Sequence, residues 1–311
     1  MSKILVSGSI AYDRIMDFPG RFKDHIMPDK IHMLNVCFGV NRLTEGFGGT
    51  AGNIAFNLNL LKEQPVMLGV VGDDFAKYAK WLRKNKINFS KVEEDKNEHT
   101  AGAYVITDQD NNQITGFYRG PIGSKYCKVV KNIKGAKLAI ISPDCVKRMV
   151  EYVRLYQKLG IPYISDPGQQ LTALSNKDLR ALIKGSKVYI GNDYEIESTL
   201  RRLKITQKQL EKMTEILVIT QGSKGSTIYQ AGKKIKIPPA KPKNTCDPTG
   251  AGDAYRAGLI KGMLEGWSLE KAGRLAGLVS VYTVEKYGTQ THTFTWAQLK
   301  KRYKANFKEE L

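Results

Sequence analysis

The sequence of 311 residues predicts an α/β fold with a mainly parallel central sheet, flanking helices on both of its faces and a small β-sheet lid. From residue 138 onward, short apolar runs alternate with segments of helical periodicity, and this alternation is typical of a parallel sheet. The stretches 14–46 and 97–123 interrupt it with short β-like segments, which predicts a lid inserted into the α/β core. No repeat or linker separates parts of the chain, so we expect a single domain over 1–311.

The first part of the chain mixes strands, turns and helices. The run from Lys3 to Ser9 is apolar and ends in a Gly-Ser turn, as expected of a short buried strand. One helix is predicted to begin near Thr50, and a second carries apolar residues at helical spacing over 75–82. Further strands are predicted at 33–38, 66–71, 102–107 and 113–118, the last two joined as a hairpin.

The second part of the chain follows a regular order of strands and helices. Strands are predicted at 138–142, 163–166, 187–191 and 216–220, followed by a hairpin of 226–229 and 234–237. Helices are predicted at 145–159, 193–203, 250–264 and 269–285. Because strands and helices take turns here, this part is expected to supply most of the parallel sheet.

The composition is that of a globular protein, with 41% hydrophobic residues and a formal net charge of +19. No apolar run approaches the roughly 20 residues that a membrane span requires, and the first residues lack the pattern of a secretory signal. We therefore expect a cytoplasmic protein without a membrane partner. The lysines are spread along the chain and no nucleic-acid-binding motif accompanies them. We favour a solvated basic surface over nucleic-acid binding, which remains the alternative.

The cysteines and histidines show no spacing typical of a metal site. The cysteines lack CxxC pairs, and the histidines form no HExxH or HxH pattern, so a protein-bound transition metal is not expected. A disulfide framework would be unusual in a chain of this length, and reduced thiols are the prediction for all four cysteines. They are Cys37, Cys127, Cys145 and Cys246.

The segment NTCDPTGAGDAYRAG, residues 244–258, carries the sharpest chemical signal. Pro248 precedes a predicted helix start, and Gly250, Ala251 and Gly252 form a turn whose backbone can approach a ligand closely. Helix N-termini carry unpaired N–H groups and partial positive charge, so this turn is suited to hold a phosphate. Asp253 lies in the first turn, beside the position of that phosphate.

Phosphoryl transfer needs charge stabilisation on the moving group and a base aligned with the attacking hydroxyl. The N–H groups of the turn would supply the first, and Asp253 the second. The alternative is that Asp253 only stabilises the helix start, as acids in a first turn often do. We favour catalysis because a second acid, Asp247, and two glycines precede it. Neither the GxxxxGK[ST] phosphate loop nor an HRD and DFG pair is present, which excludes those two kinase classes.

Two signatures give the chain a resemblance to a known family. The segment DPTGAGDAYRAGL, beginning at Asp247, resembles the C-terminal signature of the ribokinase (PfkB) family of carbohydrate and nucleoside kinases, and GGTAGNIA, beginning at Gly48, resembles its N-terminal signature. The resemblance covers essentially the whole chain and implies a ribokinase-like fold. Within the family the chain is most similar to bacterial adenosine kinases, through stretches such as His99-Thr100-Ala101 and Asp166-Pro167 with Gln169-Gln170.

The resemblance implies a role for several residues on the acceptor side. Asp13 would accept hydrogen bonds from two ribose hydroxyls, while Gly48, Gly49 and Asn53 would hold the sugar. Ser9 would face the nucleoside at the end of the first strand. The alternatives are an ordinary turn former for Asp13 and an ordinary helix entry for the glycines.

Other residues would bind ATP or lie near the base. Asn192 and Glu195 match the family's NxxE element, and Glu195 would position Mg²⁺ through a water. Thr220, Gly222 and Gly225 match the strand and turn that cover ATP. The last implied contacts are those of Gln169 and Gln170 with the base. The alternative for the NxxE element is a charged helix start. The alternative for the two glutamines is a surface loop.

The resemblance implies transfer of the γ-phosphoryl of ATP to the 5′-hydroxyl of adenosine, with Mg²⁺ as cofactor. The chain departs from its relatives after His99-Thr100-Ala101, where an aromatic that stacks on the base is replaced by Gly102-Ala103. Phe38, Tyr104 and Phe117 are the candidates to supply that face, and Arg119 could reach the phosphates. The alternatives are a sugar kinase of the same family and a nucleotide-binding regulator without catalysis. A homodimer through a lid edge strand is also left open.

Overall fold

The computed structural model describes residues 4–110, 112–123, 128–133 and 135–311. Of the residues that carry a sequence prediction, Lys3, Asn111 and Cys127 lie outside this part. The strands are β1 (Ile4–Ser7), β2 (Ala11–Asp17), β3 (Arg42–Gly48), β4 (Pro65–Gly72), β5 (Asn88–Asp95), β6 (Ala101–Thr107), β7 (Gln113–Tyr118), β8 (Leu138–Ile141), β9 (Tyr163–Ser165), β10 (Val188–Asn192), β11 (Ile216–Thr220), β12 (Ser226–Gln230) and β13 (Lys233–Ile237). The α-helices are α1 (Thr50–Leu60), α2 (Ala76–Lys84), α3 (Val146–Leu159), α4 (Asn176–Ile183), α5 (Asp193–Leu203), α6 (Gln207–Glu211), α7 (Ala251–Leu264), α8 (Leu269–Val284) and α9 (Trp296–Phe307).

The large sheet has nine strands in the order β13-β12-β11-β10-β9-β8-β1-β4-β5. Neighbours from β5 to β11 are parallel, and the β12–β13 hairpin adds two antiparallel strands at one edge. The central strands β1, β4 and β8 are buried along their whole length, as parallel strands covered on both faces must be.

Helices cover both faces of this sheet. Val6 belongs to a buried apolar cluster with α1, α2, α7 and α8, while its neighbour Leu5 belongs to a second cluster with α3, α4 and α5. Adjacent residues of a strand point to opposite faces, so the two clusters lie on opposite sides of the sheet. The predicted layered α/β architecture is confirmed.

The small sheet has four strands in the order β3-β2-β6-β7. Its register places Asp13 opposite Gly46 on one side and Ala103 on the other, and places Ala103 opposite Phe117. Residues directly opposite one another share a face, so Asp13, Ala103 and Phe117 form one row across β2, β6 and β7.

Helices α7 and α8 approach each other through glycines. A Cβ atom added to Gly258 would lie 2.6 Å from Ala276 Cα, and one added to Gly262 would lie 2.4 Å from Ala272 Cβ. Only the missing side chains allow this distance between the helices. The packing fixes α7, and with it the residues at its N-terminus.

Two expectations from the sequence are wrong. Residues 33–38 form no strand: a 3₁₀ helix spans Pro28–Met33, and the chain then has no regular structure until β3. The side chains of Met33 and Leu34 are 67% and 47% exposed, so the apolar residues of this segment do not form a buried sheet face. Cys145 is disulfide-bonded rather than reduced, whereas Cys37 and Cys246 are free.

Among the described residues, no helix has the length and apolarity to cross a membrane.

Candidate active site

The N-terminus of α7 is a glycine turn that leaves backbone N–H groups without a helical acceptor. Gly250 precedes the helix with a φ of 76°, in the left-handed region that favours glycine. The first helical hydrogen bond runs from Ala254 N to Gly250 O, and the N–H of Ala251 donates to Pro248 O. The N–H groups of Gly252 and Asp253 therefore precede the helical hydrogen-bond pattern and have no acceptor within it. A helix N-terminus of this kind favours an anion.

Asp253 is held by a chain of polar side chains from other elements. Asn53 of α1 donates from Nδ2 to Asp253 Oδ2 at 2.8 Å. Gln290 donates from Nε2 to Asn53 Oδ1 at 3.1 Å, and Tyr78 OH lies 2.6 Å from the same Nε2. Gln290 is itself fixed by a hydrogen bond from Trp81 Nε1. This network fixes the orientation of the Asp253 carboxylate, as a catalytic base requires.

Burial raises the pKa of Asp253 to about 7, although the Asn53 hydrogen bond and the nearby Arg256 oppose the rise. Burial also raises the pKa of Asp13 to about 6, with a further contribution from the charge of Asp247. Each of these carboxylates therefore binds a proton far more readily than a solvated one. A base with a pKa near 7 can accept a proton from a hydroxyl during reaction at neutral pH.

Arg256, one turn after Asp253, forms a buried ion pair with Asp166. Its Nε and Nη2 donate to the two carboxylate oxygens of Asp166, each at 2.8 Å, and its Nη1 donates to Gly252 O at 3.1 Å. The side chains are 8% and 3% exposed. Since Asp166 directly follows β9, this pair joins the first turn of α7 to the carboxyl end of the large sheet.

The start of α1 lies against the loop after β1. Gly49 has a φ of 82°, and a Cβ atom there would lie 2.5 Å from Ser9 O. Ser9 Oγ accepts from Thr50 N at 3.0 Å, so this serine fixes the first turn of α1. The glycine and the serine therefore determine where α1, with Asn53, begins.

Asp13 lies on the small sheet, close enough to Asp247 and Thr289 for both to act on the pKa of its carboxyl. A Cβ atom on Gly48 would lie 2.2 Å from Asp13 Oδ2, so the carboxylate occupies the space that a side chain at this position would need. The charge of Asp13 in turn contributes to the raised pKa of Asp253. The structure thus brings Asp13, Gly48, Gly49, Asn53 and Asp253 together.

Asn192 and Glu195 form a capping box at the start of α5. Asn192 N donates to Glu195 Oε2, and Glu195 N donates to Asn192 Oδ1, each at 2.8 Å. Burial, followed by the charge of Asp166, raises the pKa of the Glu195 carboxyl. The hydrogen bond of the box involves Oε2 of Glu195 and not Oε1.

A cavity of about 510 Å³ lies beside the N-terminus of α7. Thr220, Gly222 and Gly225 line it from the end of β11 and the following turn, and Ala251 and Gly252 line it from α7. Most of the remaining wall is apolar, including Ile237, Ala240, Tyr255, Val281 and Val284. An apolar cavity that ends at a helix N-terminus is suited to a planar base with phosphates attached.

Gln169 and Gln170 lie in the loop that follows Asp166. They lie in a 3₁₀ helix, Gly168–Thr172, where Gln169 is exposed and Gln170 half-buried. Among the described residues, no hydrogen bond joins either side chain to another candidate residue.

Sequence reasoning assigned no role to Arg256 or Gln290. The signal for Arg256 was available, because it is the one charged residue between Ala254 and Leu259 in an otherwise apolar part of α7. Gln290 lies in the stretch Gly288-Thr289-Gln290, which also resembles bacterial adenosine kinases, but that resemblance gave it no role.

Comparison with known proteins agrees with this geometry. A model of the "pfkB family carbohydrate kinase" matches residues 2–296. A nucleoside kinase of Methanocaldococcus jannaschii is 32% identical over 313 residues, covering 97% of each chain. A solved nucleoside kinase of Burkholderia thailandensis in complex with inosine is 34% identical, with a TM-score of 0.90 and 99% of both chains covered. The same protein was solved with ADP-inosine, with a TM-score of 0.88.

A ribokinase of Cryptococcus neoformans var. grubii superposes with a TM-score of 0.81 over 97% of this chain and all of its own, at 21% identity. This likeness confirms the predicted ribokinase-like fold. The family model, which matches residues 2–296, also agrees with the two signatures identified in the sequence. The chain is a phosphotransferase that belongs to the pfkB family of carbohydrate kinases.

Proposed function

We propose that this kinase transfers the γ-phosphoryl of ATP to the 5′-hydroxyl of a purine nucleoside, with adenosine giving AMP as the first candidate. The observation that carries the proposal is the position of Asp253. It lies between an apolar cavity, lined by the preceding residue Gly252, and a polar group formed by Asn53 and Asp13. The relatives named as nucleoside kinases, one of them solved with inosine, support a nucleoside as acceptor.

Asp253 acts as the base in this proposal. With the hydroxyl of the acceptor beside it, Asp253 takes the proton as the oxygen attacks the γ-phosphorus of ATP. The bond from that phosphorus to the oxygen it shares with the β-phosphate breaks, and ADP leaves. Asn53 holds the carboxylate in place through its 2.8 Å hydrogen bond. The N–H groups of Gly252 and Asp253 stabilise the charge on the transferring group, and Asp13 orients the ribose through its hydroxyls.

The cavity beside α7 is the proposed ATP site, with Thr220, Gly222 and Gly225 against the nucleotide. Glu195 would hold Mg²⁺ through a water, backed by its capping box with Asn192. Such a contact fits Mg²⁺, which keeps several waters and few protein ligands. When bound, Mg²⁺ supplies positive charge to the phosphates.

The test is a screen of ATP consumption with adenosine, inosine, guanosine, cytidine, ribose and fructose 6-phosphate. We expect turnover with purine nucleosides and a kcat lowered by orders of magnitude in the variant Asp253→Asn, with little change in nucleoside Kd. In the wild type, kcat/KM should fall below pH 7, since the protonated carboxyl cannot act as a base. Equal turnover by Asp253→Asn and the wild type would rule out this role.

A sugar kinase is the second candidate. The residue opposite Asp13 on β6 is Ala103, which offers no flat face for a base. Ribose and fructose 6-phosphate are in the screen for this reason. Turnover with these acceptors and none with nucleosides would support this second function instead.

We further propose that the small sheet acts as a lid over the acceptor, within the predicted lid ranges 14–46 and 97–123. Strand β7 forms one edge of that sheet, with all six residues exposed, and could pair with a second copy. Sedimentation at several protein concentrations tests the homodimer. A cytoplasmic location stays a prediction.

A further inference from the structure

We propose that Arg302, on α9, is a positioning residue for the ATP site, because it holds one wall of the cavity beside α7 in place. The inference rests on the proposed function, which assigns this cavity to ATP. The wall in question is residues 238–246, between β13 and α7, which we call the wall segment. It forms neither helix nor strand. Its residues that line the cavity are Pro238, Pro239, Ala240, Lys241, Pro242 and Thr245.

Most of the wall segment has no buried side chain to anchor it. Ala240 and the residue that follows the segment, Asp247, are each 6% exposed. Every residue from 241 to 246 between them is exposed. Because burial of side chains does not fix this part of the chain, its position depends on the hydrogen bonds that its backbone makes.

Those hydrogen bonds run to α9 and to the end of α8. Lys241 N donates to Asn306 Oδ1 at 2.8 Å, and Lys241 O accepts from Arg302 Nη2 at 3.1 Å. Lys243 N donates to Glu285 Oε1 at 2.5 Å. The backbone of the wall segment is therefore held from outside the cavity by three side chains.

Arg302 joins these contacts to one another. Its Nη1 donates to Glu285 Oε2 at 2.8 Å, and its Nη2 donates to Oε1, the oxygen that also accepts from Lys243 N. Its guanidinium lies 4.6 Å from the ring centre of Tyr282, and the side chains of Arg302 and Glu285 are each 11% exposed. A guanidinium that stacks on a ring and pairs with both oxygens of a carboxylate is held rigidly. Without it, Glu285 loses two donors and Lys241 O loses its own.

The proposed base is held independently of Arg302. Asp247 donates from its N–H to Val284 O at 3.2 Å and accepts at Oδ2 from Gly288 N at 3.1 Å. Asp253 is held from α1 by its own hydrogen bond of 2.8 Å. Loss of Arg302 should therefore weaken the binding of ATP and leave the chemical step and the acceptor site unchanged.

The test measures KM for ATP, KM for the acceptor and kcat in Arg302→Met. Methionine keeps an apolar chain against Tyr282 but has no donor for Glu285 or Lys241 O. We expect KM for ATP to rise roughly tenfold or more, with kcat and KM for the acceptor little changed. Titration of ADP by calorimetry, which needs no acceptor, should show the same loss of affinity.

Two further positions separate the hydrogen bonds of the wall segment from the packing of α9. Asn306→Asp keeps an oxygen for Lys241 N and should keep the KM for ATP of the wild type, whereas Asn306→Leu should raise it. Arg274→Met is the matched control. Arg274 pairs with Glu270 on α8 and with Glu309 after α9, and among the described residues no hydrogen bond joins it to the wall segment. Its loss should leave KM for ATP unchanged.

An unchanged KM for ATP in folded Arg302→Met or, where thermal melting shows that variant to be unfolded, in Asn306→Leu would overturn the inference. So would an equal rise in Arg274→Met, because the packing of α9 as a whole would then be responsible.

The variant Gly277→Leu tests the ATP site itself. A Cβ atom at Gly277 meets no atom within 4 Å, and this glycine lines the cavity, so leucine should fill the space and abolish ADP binding. If Gly277→Leu binds ADP as the wild type does, the cavity is not the ATP site, and this part of the proposed function fails together with the inference. If Gly277→Leu loses ADP while Arg302→Met keeps it, only the inference about Arg302 fails.

Discussion

The ion pair of Arg256 and Asp166 gives the sharpest prediction for stability. Two hydrogen bonds of 2.8 Å join side chains that are 8% and 3% exposed, so each charge depends on the other for its solvation. Breaking a buried pair by removing one partner typically costs about 3–5 kcal/mol, because an uncompensated charge stays buried. We expect Arg256→Met to lower the free energy of unfolding by about that amount.

The assay is denaturant unfolding of Arg256→Met and of the double variant Arg256→Met/Asp166→Leu. Replacing both charges by apolar side chains removes the unpaired charge, so the double variant should recover much of the loss. The exposed pair of Lys187 and Glu215, 36% and 49% exposed, provides the control. Lys187→Met should cost less than about 1 kcal/mol.

A loss of unfolding free energy in Arg256→Met no larger than that in Lys187→Met would refute the reasoning, and so would a double variant as unstable as the single one.

The ion pair also acts on the proposed base, Asp253. Since the charge of Arg256 lowers the pKa of Asp253, its removal should move the acid limb of the kcat/KM profile to higher pH.

Three further predictions follow from burial and close approach. Burial lowers the pKa of His292 to about 4, so the unfolded state binds the extra proton and stability should fall by roughly 3 kcal/mol as the pH drops from about 6.5 to 4; His292→Gln should flatten this part of the unfolding profile. Burial raises the pKa of Asp253 from 3.8 to about 7, so the unfolded state loses this proton first and stability falls as the pH rises from about 4 to 7; Asp253→Asn, which carries no charge, should be more stable than the wild type at pH 8, by at most about 4 kcal/mol, in a thermal melt. Gly48→Ala places a Cβ atom 2.2 Å from Asp13 Oδ2, so KM for the acceptor should rise by about tenfold or more while the melting temperature changes little; an unchanged KM would contradict the placement of Asp13 at the acceptor.

The elements best predicted from the sequence are those with a strong local pattern. The helix predicted at 193–203 and the strand predicted at 216–220 have the observed bounds, because a capping box and a run of buried apolar residues define them. Strand β5 and helix α9 were not predicted. Four acidic or basic residues interrupt β5, and α9 buries only Leu299 and Tyr303, so neither shows a clear apolar face in the sequence.

The residues of the candidate site also differ in how well the sequence predicts them. Asp253 and its glycines were found because a local motif carries their chemistry. The partners that hold them are distant in the chain: Asp166 is 90 residues from Arg256, and Gln290 is 237 residues from Asn53. Such contacts depend on how the sheet places its strand ends, and no local pattern encodes them.

The glycine contact between α7 and α8 limits which substitutions the enzyme can tolerate. A single methyl group at Gly262 would overlap with Ala272, and the two helices could only separate or slide to accept it. The base at the other end of α7 would move with its helix, away from the amide of Asn53. A substitution at this buried contact between α7 and α8, far from the proposed ligand sites, should therefore also lower turnover.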